Sequence, residues 1–505
     1  MKDSQLFKVM IRKSIKNFPM IWEAIKRSSI SLYFLLTSSI AFTQKDSEFV
    51  IDITNIKAPI PASLWGLFFE DINRSADGGV YAELLKNRSF DFPEPMSGWQ
   101  TWPKKVRDGI FIVTSDMNPQ TKDPKWVSVN TRLTDTVGLI NEGFDGIYLK
   151  KGLNYTFTLQ YRQVQPGIHV RVFLLNTANC PIANAAMNLI ASSKDWNEQK
   201  ITLIPNDTVS RGKLLVTFEG AGGLDVDRIS LFPPDTWQNR PGGLRNDLVQ
   251  RLADLKPGFL RFPGGCIVEG NQLVHRYQWK NTIGPLQNRL LVQSIWADDV
   301  PDRQTPDYME SFGLGFMEYF QLCEDIGASP LPIINCGMSC QFDAAEVVPI
   351  SQLEPFIQDA LDLIEFANGD VNTIWGAKRA EYGHPTPFNM KMIGIGNENW
   401  GTENGRTINN LDSLWASAVI DKNTSELIIK FVNPSAKKKL RTISIEGNKS
   451  SNLNGTFIVL KGRLGDLNTL DNPNTIAPIQ LNKILVGKKI KLEPFSLIVL
   501  KVKIK

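Results

Sequence analysis

Lys391-Met-Ile-Gly-Ile-Gly-Asn-Glu-Asn-Trp400 (KMIGIGNENW) decides how this chain is read. An apolar run of strand length, Lys391–Ile395, ends in amides gathered around one carboxylate, Glu398. The same pattern recurs upstream. Ser63-Leu-Trp-Gly-Leu-Phe-Phe69 runs into Glu70 and Asp71, Phe259-Leu-Arg-Phe-Pro263 into Gly264-Gly265-Cys266, and the strand Pro330–Asn335 into Cys336. Between these runs, Val80–Lys86, Leu244–Leu255, Met309–Ile326 and Leu353–Ala367 have helical spacing. Strand and helix in strict succession predict parallel strands with right-handed crossovers. Each polar cluster then falls just past a strand's C-terminal end, where a (β/α)8 barrel keeps its active site. A doubly wound sheet would use the same edge. Gly394-x-Gly396, however, has no third glycine and no following helix. Arg261-Phe-Pro-Gly-Gly265 lacks the Gly-Lys-Ser/Thr of a phosphate loop. Nucleotide binding is not expected.

On either side of this α/β texture the pattern changes. From Phe90 to Pro234, strand-like runs recur between turns without helical patterns: Tyr155–Tyr161, His169–Leu174, Gln199–Leu203 and Leu214–Phe218. That predicts an all-β sandwich. Trp99, Trp102, Trp126, Tyr148 and Trp196 lie within it, as sugar-stacking faces or as core. After Trp400 a polar connector, Gly401–Ser413, leads to Trp415–Ile420, Glu426–Val432, Arg441–Ile445, Thr456–Leu460 and Ser496–Lys503, which read as antiparallel strands. The fold class is therefore α/β plus all-β, with only four β/α units, where a closed parallel barrel needs about eight strands.

Composition narrows the partners. The 505 residues include 27 Phe, 12 Trp and 42% apolar residues, enough for several cores. The net charge of +4 hides a partition: residues 1–28 carry an excess of +5, those from Asp421 onward +10, and the middle −11. So acidic a centre argues against nucleic acid. Lys26 and Arg27 precede an apolar run, Ile30–Phe42, with Ser39-Ile40-Ala41 as a cleavage site. The N-terminus is thus expected to be an export signal, with Met20 a candidate start. The alternative is a buried or anchoring helix. The exported protein would be extracellular or periplasmic, with no membrane attachment after cleavage. The five cysteines build no disulfide framework, and Cys336-x-x-x-Cys340 lacks the His or Cys partners of a zinc site. With three histidines in all, no metal and no cofactor are expected.

Carboxylates at strand ends, set among amides and aromatics, suit glycoside hydrolysis. One carboxyl protonates the leaving oxygen while a second attacks the sugar or activates water. No Gly-x-Ser-x-Gly elbow or His-Glu-x-x-His motif competes with that chemistry. Glu398 is the candidate acid. Asn397 and Asn399 flank it, and Trp400 offers an apolar wall that would raise its pKa. Asn397 as a helix N-cap is the alternative.

The stretch Leu64-Trp-Gly-Leu-Phe-Phe-Glu-Asp-Ile-Asn-Arg-Ser-Ala-Asp-Gly-Gly-Val-Tyr-Ala-Glu-Leu84, followed by Asn87-Arg-Ser-Phe90, resembles the opening of the family 51 glycoside hydrolases, the α-L-arabinofuranosidases. Phe259–Gly270, Tyr277–Pro285, Ile393–Gly401 and Trp415–Lys422 resemble the same family in the same order. The resemblance implies that Glu398 is the acid/base and that Asn397 holds sugar hydroxyls. It implies that Glu70 grips the arabinofuranose. Arg261 and Cys266 would line the pocket; an ion pair under the barrel floor and a packing role are their alternatives. Glu269 is read as structural. The implied organisation is a signal peptide over 1–41 and a first barrel unit with a preceding strand over 42–89. An inserted carbohydrate-binding-like sandwich covers 90–236, barrel units two to four 237–405, and a partial C-terminal β-sandwich 406–505.

The chain departs from this family in one respect. The family's nucleophilic glutamate belongs to the seventh barrel strand, well over a hundred residues past the acid/base. Here Glu403, Glu426, Glu446 and Glu493 are the only glutamates after Glu398, and none has a β/α context. An internal segment worth four β/α units is expected to be missing. Two functions follow from the resemblance. One is a secreted retaining enzyme removing terminal α-L-arabinofuranosyl residues from plant polysaccharides such as arabinoxylan or arabinan. The other is an inactive relative that retains only carbohydrate binding. Oligomer formation is left open.

Overall fold

The computed structural model describes residues 48–118, 121–190, 195–297, 308–398, 414–447, 453–463, 465–469, 472–485 and 489–503. The expected signal, together with Asn399 and Trp400, lies outside them. The chain divides into two units, residues 60–404 and a second made of residues up to 59 with 405–505.

The first unit holds the parallel sheet. Its strands are β1 (Leu67–Phe68), β2 (Phe259–Phe262), β3 (Ser329–Ile334) and β4 (Gly394–Ile395), in the order β4-β3-β2-β1. All three pairings are parallel, with Leu260 beside Leu67, Phe259 beside Ser329 and Ile333 beside Gly394. Four helices accompany them: α1 (Asn246–Asp254), α2 (Phe316–Ile326), α3 (Glu354–Asn368) and α4 (Ile374–Glu381). Phe262 of β2 stacks on Tyr319 of α2 at 4.6 Å between ring centroids and meets Phe316 and Phe320 edge-on. Each such buried ring contributes about 1.5–3 kcal/mol, which fastens helix to sheet. The fully buried Arg379 of α4 donates to the carbonyls of Phe366, Gly369, His384 and Pro385, closing the C-terminal end of α3.

Two expectations about helices fail. Val80–Lys86 forms no helix. Its residues are buried on several sides, and their N–H groups are used elsewhere: Ala82 donates to Gly243 and Leu84 to Leu231. Tertiary pairing overrides the spacing. At the second site, α2 starts at Phe316, because Met309–Glu310 pairs as a strand with Val292–Gln293. Helix α4 had not been anticipated; Thr373 caps it by accepting from the Gly376 N–H.

Between β1 and β2 the chain makes two antiparallel sheets that share one core. One contains Tyr155–Gln165 and Gly222–Phe232, the other His169–Leu175 and Val209–Glu219. Phe157, Leu159 and Val226 from the first meet Val172, Leu174, Val216 and Phe218 from the second. Period-two alternation along Tyr155–Gln163 makes this possible. Trp99 is core, whereas Trp102, Tyr148 and Trp196 are exposed.

In the second unit, a five-stranded antiparallel sheet and a three-stranded sheet share a core that includes Ile429, Phe431, Ile443, Leu492 and Leu500. Glu48–Asp52, within the stretch 42–89 expected to hold the first barrel unit and its preceding strand, pairs in parallel with Lys439–Glu446 here. Among the described residues no helix is long and apolar enough to cross a membrane.

Candidate active site

Because β1 to β4 run parallel, the residues after each strand share one edge, and Glu70 and Glu398 lie at the same end of the sheet. Glu70 follows β1. The Ile267 N–H donates to its Oε1 at 3.3 Å. Close approach explains the glycine pair: a Cβ on Gly264 would sit 2.6 Å from Glu70 Cγ, and one on Gly265 3.2 Å from Glu70 Oε2. Burial pushes the Glu70 carboxyl above its usual range, against the opposing pull of the Ile267 and Gly265 amides and of Arg261.

Arg261 of β2 lies over the Phe68 ring at 4.3 Å and donates through Nη2 to Asn397 Oδ1 at 2.6 Å. Asn397, buried after β4, donates in turn through Nδ2 to Glu269 Oε2 at 3.1 Å. Arg261 therefore orients an amide, where the alternative was an ion pair under the floor. Glu269, read as structural, is the buried end of this relay. Burial pushes its carboxyl up to about 7; the Asn397 hydrogen bond opposes that rise, and the charges of Glu398 and Glu70 add to it.

Glu398 is exposed at the tip of the β4 loop with φ of 45°, a left-handed conformation that costs a non-glycine residue roughly 1–2 kcal/mol. Its Oε2 accepts from Gln341 Nε2 at 3.3 Å and from the Cys266 thiol at 3.9 Å. Cys266 thus reaches the candidate acid directly. The apolar wall assigned to Trp400 falls outside the described residues.

The other strand-end polar groups hold loops. Asp71 accepts from the Tyr308 hydroxyl at 2.7 Å and the Ala76 N–H at 2.9 Å. Asn335 donates to the Val268 and Met338 carbonyls and accepts from the Gly337 N–H. Gln341 and Cys340 were missed from sequence; they follow a loop whose path only the fold fixes. Cys266, Glu269 and Cys340 are the described residues that could hold a metal, their ligand atoms within 4.8 Å of one another. A cavity of about 500 Å³ opens beside the cluster, lined by Ile267, Tyr277, Gln278, Ser294 and Glu310.

A carboxyl at the mouth, a second half-buried carboxyl and an oriented amide on one sheet edge can hold a sugar and move a proton to its glycosidic oxygen. Comparison with known proteins agrees with that class. The sequence model of the alpha-L-arabinofuranosidase 1 domain matches residues 251–434. The chain is 36% identical over 380 residues to the extracellular exo-alpha-L-arabinofuranosidase of Streptomyces chartreusis, covering 70% of this chain and 42% of that protein. It is 36% identical over 365 residues to alpha-L-arabinofuranosidase 2 of Arabidopsis thaliana, covering 69% of this chain and 51% of that relative. It thus spans about half the length of the curated relatives it matches. The arabinose-bound α-L-arabinofuranosidase MgGH51 shares the fold, with a TM-score of 0.78 over 90% of this chain and 100% of that one, at 22% identity. The fold is one that glycoside hydrolases use. By sequence the chain is related to the α-L-arabinofuranosidases, which it matches over about 70% of its own length and about half of theirs.

Proposed function

We propose that the Glu70–Arg261–Asn397–Glu398 edge is the sugar-holding and proton-transferring half of an α-L-arabinofuranosidase active site. It would act on terminal α-L-arabinofuranosyl residues of plant polysaccharides such as arabinoxylan or arabinan. Glu398 protonates the glycosidic oxygen and, in the second half of a retaining reaction, activates water. Asn397 and Glu70 hold ring hydroxyls, Cys266 borders the acid, and Arg261 orients Asn397. The observation that carries this reading is the shared sheet edge at which Glu70, Asn397 and Glu398 all lie, with Arg261 bonded to Asn397. The two-sheet region over 90–236 serves as a carbohydrate-binding module. Its exposed Trp196 stands edge-on to Trp126 with Arg162 over both rings, a platform suited to sugar. The N-terminal segment 1–41, as a signal peptide, exports the protein.

The parallel sheet, in this reading, is the first half of a (β/α)8 barrel, and the segment bearing the nucleophile is absent between Glu398 and the strand at Trp415. Phe68 on β1 and Ile395 on β4 are 57% and 54% exposed, apolar surface that four further units would cover. That exposure favours a second reading for the chain as it stands: arabinose binding without turnover. An aryl α-L-arabinofuranoside assay decides. The chain should bind arabinose but not turn the substrate over. Restoring the missing segment from a relative should create turnover that Glu398→Ala removes. Turnover by the unaltered chain, lost on Glu398→Ala, would instead assign the second carboxylate to Glu70 or Glu269.

A further inference from the structure

The sequence pairs Cys340 with its neighbour Cys336, and that spacing holds no metal. The fold gives Cys340 different neighbours. Cys266 and Glu269 stand three residues apart on the turn that follows β2, where the Glu269 N–H donates to the Cys266 carbonyl at 3.1 Å. Gly270 then accepts the Cys340 N–H at 2.9 Å, which docks the second loop onto the first. The two sulfurs and the carboxylate come within 4.8 Å of one another.

We propose that Cys266, Glu269 and Cys340 bind one thiophilic divalent cation, zinc being the natural example, and that its occupancy closes the sugar pocket. The closure clause rests on the sugar-site reading above; the metal site does not. Tetrahedral zinc takes sulfur at about 2.3 Å and carboxylate oxygen at about 2.0–2.2 Å, which places neighbouring sulfurs about 3.8 Å apart. The trio reaches that spacing by contracting about 1 Å. Glu269 and Cys340 are 3% and 4% exposed, and Cys266 is half-buried, so the ligands stand on fixed backbone out of bulk water. The carboxylate already has the outer support that metal ligands require, since Asn397 Nδ2 donates to Glu269 Oε2 and Arg261 fixes Asn397 from behind. Three protein ligands leave a fourth position. Glu398 is a further carboxylate within reach, its Oε2 lying 3.9 Å from Cys266 Sγ. A cation there takes the Glu269 carboxylate, sets the Asn397 amide and draws the Glu398 carboxylate inward, so the groups that would meet a sugar are engaged.

The test uses the full chain, reduced and stripped of metal, titrated with zinc against a chromophoric chelator and with cobalt for its thiolate charge-transfer absorption. One ion per chain is expected, with a two-thiolate cobalt spectrum. Cys340→Ser and Glu269→Gln should each weaken binding tenfold or more, while Cys336→Ser should leave it unchanged. Thermal melts confirm that each variant is folded, and Cys340→Ala replaces the serine variant if that one is not. Absence of a tight ion, or equal binding by the folded Cys340 and Glu269 variants, overturns the site. Calorimetry with arabinose forms a separate arm. Arabinose bound by metal-free protein and excluded by zinc supports closure; arabinose bound equally with zinc present overturns it. Arabinose that fails to bind metal-free protein refutes the sugar-site reading and its closure clause, while the cobalt spectrum still decides the metal site.

Discussion

Asn397 has both ends of its amide committed, Oδ1 to Arg261 and Nδ2 to Glu269. Its orientation is therefore set by a cation on one side and a buried carboxyl on the other. Removing Arg261 frees the amide to rotate and removes a charge-assisted hydrogen bond worth about 1.5–3 kcal/mol. Arg261→Ala should accordingly weaken arabinose binding about ten- to a hundredfold by calorimetry, and Arg261→Lys should not restore it, because an ammonium cannot lie flat over Phe68 and reach Asn397 together. Glu269 carries the pH prediction. Its carboxyl is pushed up to about 7 in the fold from an ordinary value of 4.5. Between those values the native state holds a proton that the unfolded chain has lost, so its contribution to stability is complete below pH 4.5 and falls as pH rises toward 7. Asp71 and Glu83 are also pushed up to about 7 and act with the same sign, so the readout is a difference. Glu269→Gln should lose less stability than the parent between those pH values in denaturant titrations. A parallel decline in both proteins would show that Glu269 titrates normally.

At the scale of elements, the four parallel strands were legible because each apolar run stops at polar residues, and burial on both faces needs no alternation. The strand ends, and so Glu70, Arg261, Asn397 and Glu398, came with them. What could not be read was every feature made by partners distant in sequence. Val80–Lys86 has helical spacing but spends its N–H groups on Gly243 and Leu231. Glu48–Asp52 finds its partner at Lys439–Glu446, nearly the whole chain away. Cys340 and Gln341 reach the site on a loop whose own sequence carries no periodic signal. Arg379 was equally hidden: nothing local marks a buried arginine, yet four carbonyls depend on it. Arg379→Met should cost about 3 kcal/mol or more in unfolding free energy, since it strands buried acceptors. A loss under about 1 kcal/mol would mean that water replaces the guanidinium readily. Leu85 precedes the expected sandwich boundary at 90 yet belongs to its core. A fragment starting at residue 82 should therefore melt cooperatively at a higher temperature than one starting at 90, and Leu85→Ala in the longer fragment should cost about 2–5 kcal/mol.

For the whole molecule, Phe68 and Ile395, exposed on the two outer strands of the parallel sheet among the described residues, predict self-association. Light scattering should find concentration-dependent assembly that the restored segment suppresses; a monodisperse chain at high concentration would count against an open sheet. The two-sheet excursion between β1 and β2 also bears on how the chain comes to fold. Leu67 and Leu260 must meet across about 190 residues, yet that excursion is sealed at its root, where Leu84 donates to Leu231 and Ile229 to Arg88. Once it has folded, the free length between the two strands shrinks to about 45 residues, which lowers the entropy of bringing them together by about 1.3 kcal/mol. During synthesis at roughly 5–20 residues per second, β1 waits about 10–40 seconds for its neighbour. An excursion that folds within that interval delivers the two strands to each other when the second one emerges.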